Sequence, residues 1–361
     1  MENISHPSTF IKQEWQALIR NTAAEAEELE MLHPQQLALI YQQKWFKALV
    51  PVTYGGLGLS LPGLIRLQES LSWADGSFGW VFTLCCGAGW FAGFIDKNVA
   101  PQIFNGEYTC LAGSGAKNGE AINTGNGYRI TGEWNYASGA HHATHFTANC
   151  IIKNADGTVV NEKGKPLVLA FIFDKKNVEL LATWKYIGMV ATGSNSFKVE
   201  NLLVNKNRSF KIDPAHATLP GKLYQYPFHQ LAEATLAANL MGMAIHFVDH
   251  AEEIIKERCA TKYTTAQKEE LTRKLKCIKT NINTLRADFY NAVDVSWGNT
   301  TEDRLNEVSI TSRQMAKGAR NIVDDLYPYC GLQAASPDTE INRVWRDLHT
   351  ASQHSLLVFE S

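Results

Sequence analysis

Three segments of the chain carry side chains able to do chemistry. One is Arg343-Val344-Trp345-Arg346-Asp347-Leu348-His349-Thr350-Ala351-Ser352-Gln353-His354, near the C-terminal end. Another is Trp134-Asn135-Tyr136-Ala137-Ser138-Gly139-Ala140-His141-His142-Ala143, and the third is Trp184-Lys185-Tyr186-Ile187-Gly188-Met189-Val190-Ala191-Thr192-Gly193-Ser194-Asn195. Histidine exchanges protons near neutrality because its unperturbed pKa is about 6.5. His354, His349 and His142 are therefore the acid–base candidates. Ser138, Thr192 and Ser194 add hydroxyls beside the rings of Trp134, Tyr136 and Trp184. Taken singly, Ser138-Gly139 and Thr192-Gly193 also read as turns, and the aromatics as core.

Several chemistries are disfavoured. His141 and His145 have H-x-x-x-H spacing, but they fall in a β-like stretch where that spacing loses its helical geometry. No Cys or carboxylate pattern accompanies them, so no metal site is expected there. No Gly-x-Ser-x-Gly follows a strand, which argues against a Ser-His-Asp hydrolase. The net charge is −2 with no basic block, so a general nucleic-acid binder is not expected. Seven cysteines, an odd count without a C-x-x-C pair, read as buried free thiols in a reducing cytoplasm. The N-terminus lacks a charged region followed by an apolar run, so no signal peptide is expected. At 45% hydrophobic and 19% charged residues, the chain can bury large cores.

Three zones of different period must position these segments. Residues 7–104 read mostly helical, with apolar residues at helical spacing over 35–49. Ser60 followed by Pro62 predicts a capped helix running to about Trp73. Asp75-Gly76-Ser77 then breaks and restarts the chain. The apolar run 78–95 is Gly-rich and lacks basic flanks, which predicts a buried helix and no membrane span. Between 108 and about 212, strands are predicted at 128–134, 147–152 and 168–173. Asn126-Gly127 predicts a hairpin, and Asn154-Ala155-Asp156-Gly157 another turn. Short strands with turns between them suggest a small β-barrel or sandwich. From about 226 the helical period returns, with long helices predicted at 231–255, 267–297, 303–327 and 341–358. Gly331 suits a C-terminal stop. Four long helices with short joins read as an antiparallel bundle.

Further motifs fall in register with this order. Pro51-Val52-Thr53-Tyr54-Gly55-Gly56-Leu57-Gly58-Leu59-Ser60 and Ala74-Asp75-Gly76-Ser77-Phe78-Gly79-Trp80 stand at helix entries, and Gly188-Met189-Val190-Ala191-Thr192-Gly193-Ser194 lies in the β zone. Together they make the chain resemble the acyl-CoA dehydrogenase superfamily over nearly its whole length. The closing Trp345-Arg346-Asp347…His354 pattern is similar to its oxygen-using branch, the flavin-dependent two-component monooxygenases. The resemblance implies an α+β multi-domain fold: an N-terminal helical domain over 1–105, a middle β-barrel domain over 106–220 and a C-terminal four-helix bundle over 221–361. It also implies a flavin between β-domain and bundle, contacted by Ser138, Gly139, Thr192, Gly193 and Ser194. A flavin needs hydroxyls and backbone N–H groups beside flat apolar surface, which Trp134 and Trp184 would supply.

The two branches of the family need different groups. A dehydrogenase needs a carboxylate base for the α-proton of a thioester. In one family arrangement that base lies near the C-terminus, where this chain has His354-Ser355, with Glu360 further on. In the other it lies on the first bundle helix, where Glu233 stands about one residue out of register, a slip of about 100°. The monooxygenases hold oxygen as a flavin C4a-hydroperoxide beside a histidine that stabilises or protonates it. His354 falls on that histidine, and His142 resembles a second one beside the Ser-Gly. His349 lies about 140° from His354 on the predicted helix and would face elsewhere. Val190 replaces an arginine often found before the Thr-Gly-Ser. The Arg-x-x-Phe-Gly segment that binds the FAD pyrophosphate in many dehydrogenases is missing around 259–267. FMN, or a reduced flavin borrowed from a reductase, is therefore expected ahead of tightly held FAD.

The expected protein is a cytoplasmic flavin-dependent monooxygenase acting with O₂ on an aromatic or other hydrophobic small molecule. A separate flavin reductase and a homodimeric or homotetrameric assembly are expected from the resemblance. Two alternatives stay open: a dehydrogenase using Glu233 as base, and a flavin-binding homologue without turnover.

Overall fold

Polar side chains decide where the helices begin. In the computed structural model, which describes residues 4–161 and 163–359, the first helices are α1 (Gln13–Asn21), α2 (Ala23–Glu28), α3 (Pro34–Gln42), α4 (Leu61–Ala74), α5 (Gly76–Gly89) and α6 (Ala100–Phe104). Glu360 and the first three residues lie outside the described residues. Ser60 Oγ accepts the Gly63 N–H at 3.3 Å and opens α4, with Pro62 at its second position. Asp75 is extended, which ends α4, and its carboxylate accepts the Phe78 N–H at 2.9 Å to start α5. The helix predicted over 35–49 stops early. Lys44 turns left-handed at φ 56° and a 3₁₀ turn, Trp45–Lys47, follows.

The middle zone is one eight-stranded sheet: β1 (Leu111–Asn123), β2 (Gly127–Trp134), β3 (His145–Asn154), β4 (Gly157–Thr158), β5 (Val168–Asp174), β6 (Glu179–Leu181), β7 (Ser196–Asn205) and β8 (Ser209–Phe210). Its order is β6-β7-β2-β1-β3-β5-β8, with β4 paired to β3. The β1–β2 hairpin forms where expected, but its left-handed residue is Gly125 (φ 87°), not Asn126 or Gly127. Asn123 accepts the Gly125 N–H at 2.9 Å and makes that turn locally.

Helices resume as α7 (Lys222–Gln225), α8 (Phe228–Thr261), α9 (Thr265–Gly298), α10 (Glu302–Cys330), α11 (Glu340–Ala351) and α12 (Ser355–Val358). The last predicted helix is thus two, broken at 352–354. Of the described helices, α8 is long and apolar enough to cross a membrane, but 94% of its most apolar window is buried inside the protein. The predicted buried run 78–95 forms α5 and a 3₁₀ turn, Trp90–Gly93, both mostly buried.

The helices before and after the sheet share one hydrophobic core, while the sheet keeps its own. The helical core is tight where α4 crosses α8. A Cβ on Gly242 would lie 2.2 Å from the Glu69 carbonyl oxygen, so only glycine lets the two backbones approach. Next to this crossing, Glu69 and Arg286 are both almost fully buried. Arg286 Nε and Nη2 donate to the Glu69 carboxylate at 2.9 and 2.7 Å, and the Tyr290 hydroxyl donates to it as well. Breaking a buried pair from one side strands the other charge. Arg286→Met should therefore cost about 3–5 kcal/mol of unfolding free energy, read by denaturant titration. Removing Glu69 in the same chain should recover much of that loss.

Candidate active site

Sheet register brings two of the three chemical segments together. Trp134 ends β2 opposite Phe197 of β7 in antiparallel pairing. The chain leaving β2 and the chain entering β7 therefore emerge side by side. Ala137 N–H donates to Asn195 O at 3.0 Å, and Gly139 N–H to Thr192 O at 2.9 Å. Gly139 and Gly193 take left-handed turns here, with φ of 74° and 51°. A Cβ on Gly139 would sit 2.6 Å from Cys85 Sγ, and one on Gly193 2.9 Å from the Glu30 carbonyl.

The hydroxyls form a directed chain. Thr192 Oγ1 donates to Met189 O at 2.7 Å and lies 2.6 Å from Ser194 Oγ. Ser194 Oγ lies 2.8 Å from Ser138 Oγ, which accepts the Trp80 indole N–H at 3.2 Å. With Thr192 donating to a carbonyl, Ser194 must donate to Thr192 and Ser138 to Ser194. Each serine keeps one free lone pair, since a hydroxyl has one donor and two acceptor positions. Ser138 and Ser194 thus present acceptors.

Two cavities meet at this chain. One, about 430 Å³, is lined by Tyr136, Trp184, Tyr186, Ser138, Ser194 and His354, among others. The other, about 240 Å³, is mainly apolar, with Phe91, Phe228, Leu231 and Leu236 on its walls. Leu84, Ser138 and His354 line both. Trp184 is half-buried, its indole N–H donates to Met189 O at 2.9 Å, and its ring lies 4.2 Å from that of Tyr186.

His354 sits in the break between α11 and α12. Its Nδ1 accepts the Leu356 N–H at 3.4 Å, which assigns the proton of the neutral ring to Nε2. Burial lowers its pKa below the usual histidine value, so the ring is neutral at pH 7. His349 does not reach either cavity. It pairs with Asp324 at 2.9 Å and with the Trp345 carbonyl at 2.7 Å. The turn at 352–354, more than an angle around one helix, separates the two histidines.

Asp347 fastens these parts to one another. Its carboxylate accepts the Met189 N–H and, at 3.3 Å, the Ser77 hydroxyl. Neighbouring Arg346 donates to the Ile187 carbonyl and to Glu27 of α2. Gly188 lies so close to α11 that a Cβ would be 2.1 Å from the Arg346 carbonyl oxygen. Burial, then the nearby Asp75 carboxylate, pushes Asp347 up to about 7. Asp75 is raised by burial too, against the opposing pull of Arg343.

Other predicted residues fall elsewhere. Trp134 is fully buried in the sheet's own core, stacked 5.2 Å from Phe197, with its N–H donating to Asn149 O at 3.1 Å. It offers a ligand no surface, because an indole ending β2 on this face points into the sheet's packing. His142 lies outside both cavities. Its Nε2 accepts the Leu32 N–H at 3.2 Å, and burial, then His141, lowers its pKa to about 4. It ties the β-domain to the N-terminal helices. Glu233 does not reach the cavities: it is fully buried against α10, accepting from Arg313 at 2.7 Å and from Ser309. Gly139 and Gly193 shape the turns and are not among the residues lining the cavities. Sequence reasoning passed over Trp80 as a site residue, although its segment stood out. It also missed Leu84 and the walls of the apolar cavity, which come from elements far apart in the chain.

Comparison with known proteins fits this geometry. A family model described as "Acyl-CoA dehydrogenase, C-terminal domain" matches residues 234–359. The chain is 30% identical over 326 residues to a pigment production hydroxylase of Rhodococcus sp. (strain ATCC 21145), covering 86% of this chain and 82% of that protein. The chain belongs to the acyl-CoA dehydrogenase superfamily. Within that superfamily it falls in the flavin-dependent monooxygenase branch. The oxygenase subunit HsaA of a flavin-dependent monooxygenase from Mycobacterium tuberculosis (strain ATCC 25618 / H37Rv) is 24% identical over 370 residues, 93% of this chain and 88% of that one. The fold matches 3-HSA hydroxylase from Rhodococcus sp. RHA1 with TM-score 0.87, at 19% identity, over 98% of this chain and 94% of that one. It also matches XiaF from Streptomyces sp., solved with FADH2 and glycerol, with TM-score 0.85 at 19% identity, over 97% and 91% of the two chains.

The Asp347 carboxyl gives a pH signature. Its folded pKa lies above the ordinary 3.8, so between those values the folded state binds more protons than the unfolded state. Stability from this group is complete below about pH 4 and is lost as pH rises to about 7, at about 1.4 kcal/mol per pH unit. Asp347→Asn, which mimics the protonated acid, should remove this slope. Unfolding free energies of both proteins across pH 4–8 give the comparison.

Proposed function

We propose that this chain is the oxygenase component of a two-component monooxygenase, taking reduced flavin from a separate reductase and hydroxylating an aromatic or similarly flat apolar molecule. One observation carries the reading: an aromatic, hydroxyl-lined cavity and an apolar cavity share the wall formed by Leu84, Ser138 and His354. The first suits a flavin ring, with Trp184, Tyr136 and Tyr186 as flat surface and the hydroxyl chain along one side. When bound, reduced flavin supplies the O₂-activating chemistry. The second cavity, mostly apolar with Thr83, Thr235 and Asn149 among its few polar groups, suits a flat apolar substrate carrying one or two polar substituents.

The residues have separable tasks. Ser138 and Ser194 offer lone pairs, so they match an N–H on the bound ring, which reduced flavin has and oxidised flavin lacks at N5. Trp80 fixes the Ser138 hydroxyl. Leu84, Phe91 and Leu236 exclude water from the reacting side. His354, neutral with its proton on Nε2, holds a transferable proton where the two cavities join. Its lowered pKa keeps that donor neutral throughout the physiological range. Among the described residues no carboxylate lines either cavity to serve as a dehydrogenase base, and Glu233 is committed to Arg313 and Ser309.

FMN ahead of FAD is the finer part of the reading, supported by the missing pyrophosphate-binding segment around 259–267. Assembly as a homodimer or homotetramer is likewise proposed. Ile187, exposed next to Tyr186 of the aromatic cavity, is apolar surface that a second copy would cover. A cytoplasmic setting is consistent with seven free cysteines, five of them buried.

Titration of FMN and FAD in both redox states tests binding. Reduced flavin should bind in the range of tens of micromolar or tighter, near −6 to −7 kcal/mol. Ser138→Ala should weaken the reduced form by about 2- to 10-fold, the value of one hydrogen bond, and the oxidised form less. Absence of flavin binding in wild type would remove the enzyme reading altogether.

Turnover with a panel of phenols tests His354. His354→Ala should lower product formed per reduced flavin by about 10²-fold or more and divert oxygen to free H₂O₂. His349→Ala should stay coupled, because that side chain is spent on Asp324. Coupling in wild type should hold from pH 8 down to about 6.5 and fall only below it, as the buried ring gains its proton. Equal behaviour of the two variants would reduce His354 to a helix cap.

A further inference from the structure

We infer that His246, His250 and Glu340 form a binding site for a divalent transition-metal cation of the zinc class, bridging α8 and α11. His246 and His250 lie four residues apart on α8, so their rings stand on one face. Glu340 is the first residue of α11. His246 Nε2 lies 3.0 Å from Glu340 Oε1 and 3.1 Å from His250 Nε2, and His250 Nε2 lies 3.4 Å from Glu340 Oε2. Ligand atoms about 2.0–2.1 Å from a tetrahedral zinc are about 3.3 Å apart. The edges from His246 are close to that spacing; the His250 edge runs to the other carboxylate oxygen, and one ligand atom from each residue lies within 4.8 Å of the others.

Protons alone do not satisfy this triangle. If both rings carry N–H on Nε2, both donate to the carboxylate, but two N–H groups then oppose each other at 3.1 Å. If only His246 carries it, the His250 lone pair faces the carboxylate. If only His250 carries it, the His246 lone pair does. An imidazolium at the 23% exposed His250 would offset the carboxylate charge but leave the same arrangements at the two Nε2 atoms, and charging His246, 1% exposed, is costly. A divalent cation inside the triangle takes a lone pair from every member.

The surroundings favour a cation. Glu253 Oε2 lies 3.9 Å from His250 Nδ1, too long for a hydrogen bond but adding negative charge beside the ring. Asp249 stands on the same helix and binds the Trp73 indole N–H at 2.7 Å. Arg20 is the opposing charge, held over the Trp73 ring at 4.2 Å and donating to the Trp73 carbonyl at 3.2 Å. The His250 and Glu340 side chains are 23% and 33% exposed, which leaves an entry path and room for a water as fourth ligand. No histidine or carboxylate of this group lines either cavity, so the site is separate from the flavin reading. Its effect would be mechanical, bracing the start of the helix that carries Asp347.

The test uses full-length, chelator-treated protein with any affinity tag removed. Titration with Co(II) should give the visible absorption of a four-coordinate site at one equivalent, displaced by Zn(II). Zn(II) should also raise the melting temperature. His250→Ala and Glu340→Gln should each weaken uptake by more than about 100-fold, beyond the loss seen when only a group orienting a ligand is changed, and abolish the melting shift. His216→Ala, distant in sequence and exposed, should bind as wild type. Glu340→Gln keeps shape and volume, so it carries the test if His250→Ala fails to fold. No Co(II) signal in wild type, or uptake by both ligand variants equal to that of wild type, would overturn the proposal. Flavin titration of the same samples reads independently of either outcome.

Discussion

The site depends on one buried carboxyl group. Asp347 projects from α11, binds the backbone of Met189 in the loop before β7 and accepts from Ser77 at the start of α5. Those three elements belong to the three zones of the chain. That contact joins the Thr192–Ser194 turn, the helix carrying Trp80 and the helix leading to His354, beside the hydrogen bonds that Trp80, Ser138 and Arg346 add. The constraint is exacting because the group is buried beside a second acid, Asp75. Two like charges in a low-dielectric pocket are costly, so burial and Asp75 raise Asp347 far enough that the protonated acid is populated up to about neutral pH. A neutral acid can then serve as a hydrogen-bonding joint between helix and sheet.

That joint explains why the hydroxyl chain has a direction. Met189 is fixed through its N–H by Asp347, and its carbonyl then accepts from both Thr192 and the Trp184 indole. Once Thr192 donates there, the protons of Ser194 and Ser138 have only one consistent orientation. The polarity of the hydroxyl edge of the aromatic cavity is therefore set from α11, through backbone, with no Asp, Glu, Lys or Arg among the described lining residues. A charge there would draw in water that the adjoining apolar cavity must exclude.

Most of the architecture was legible in the sequence, because it is written in local signals. Ser60, Asp75 and Gly331 mark helix ends by their own hydrogen bonding or φ, and the long helices α8 to α10 follow the apolar period. The errors arise where a tertiary contact overrides the local pattern. The 35–49 helix yields at Lys44, and the closing helix breaks after Ala351, which is what frees His354 to line the cavities. Trp134 and His142 stand out in the sequence only by chemical type and neighbourhood. Alternation along β2 could have marked Trp134 as inward, but nothing local tells that His142 is taken by the Leu32 N–H. The cavity walls were illegible for a simpler reason: Phe91, Ala170, Phe228 and Leu356 meet only when the three zones pack.

Trp345-Arg346-Asp347 looks like part of a reactive segment, yet each member does structural work. Trp345 packs on Tyr327 and His349, Arg346 holds Glu27 and the Ile187 carbonyl, and Asp347 holds Met189. Glu340 and Asp347 lie seven residues apart, two turns along one side of α11. The helix is thus anchored at its start against α8 and near its end against the sheet. His354 comes three residues after that helix stops, in a turn too short to wander. A helix pinned at both ends places a side chain beyond its terminus more reproducibly than a longer helix tied at one end. The break in the last helix therefore lets the chain deliver a neutral histidine to the boundary between two cavities while its support remains entirely within the scaffold.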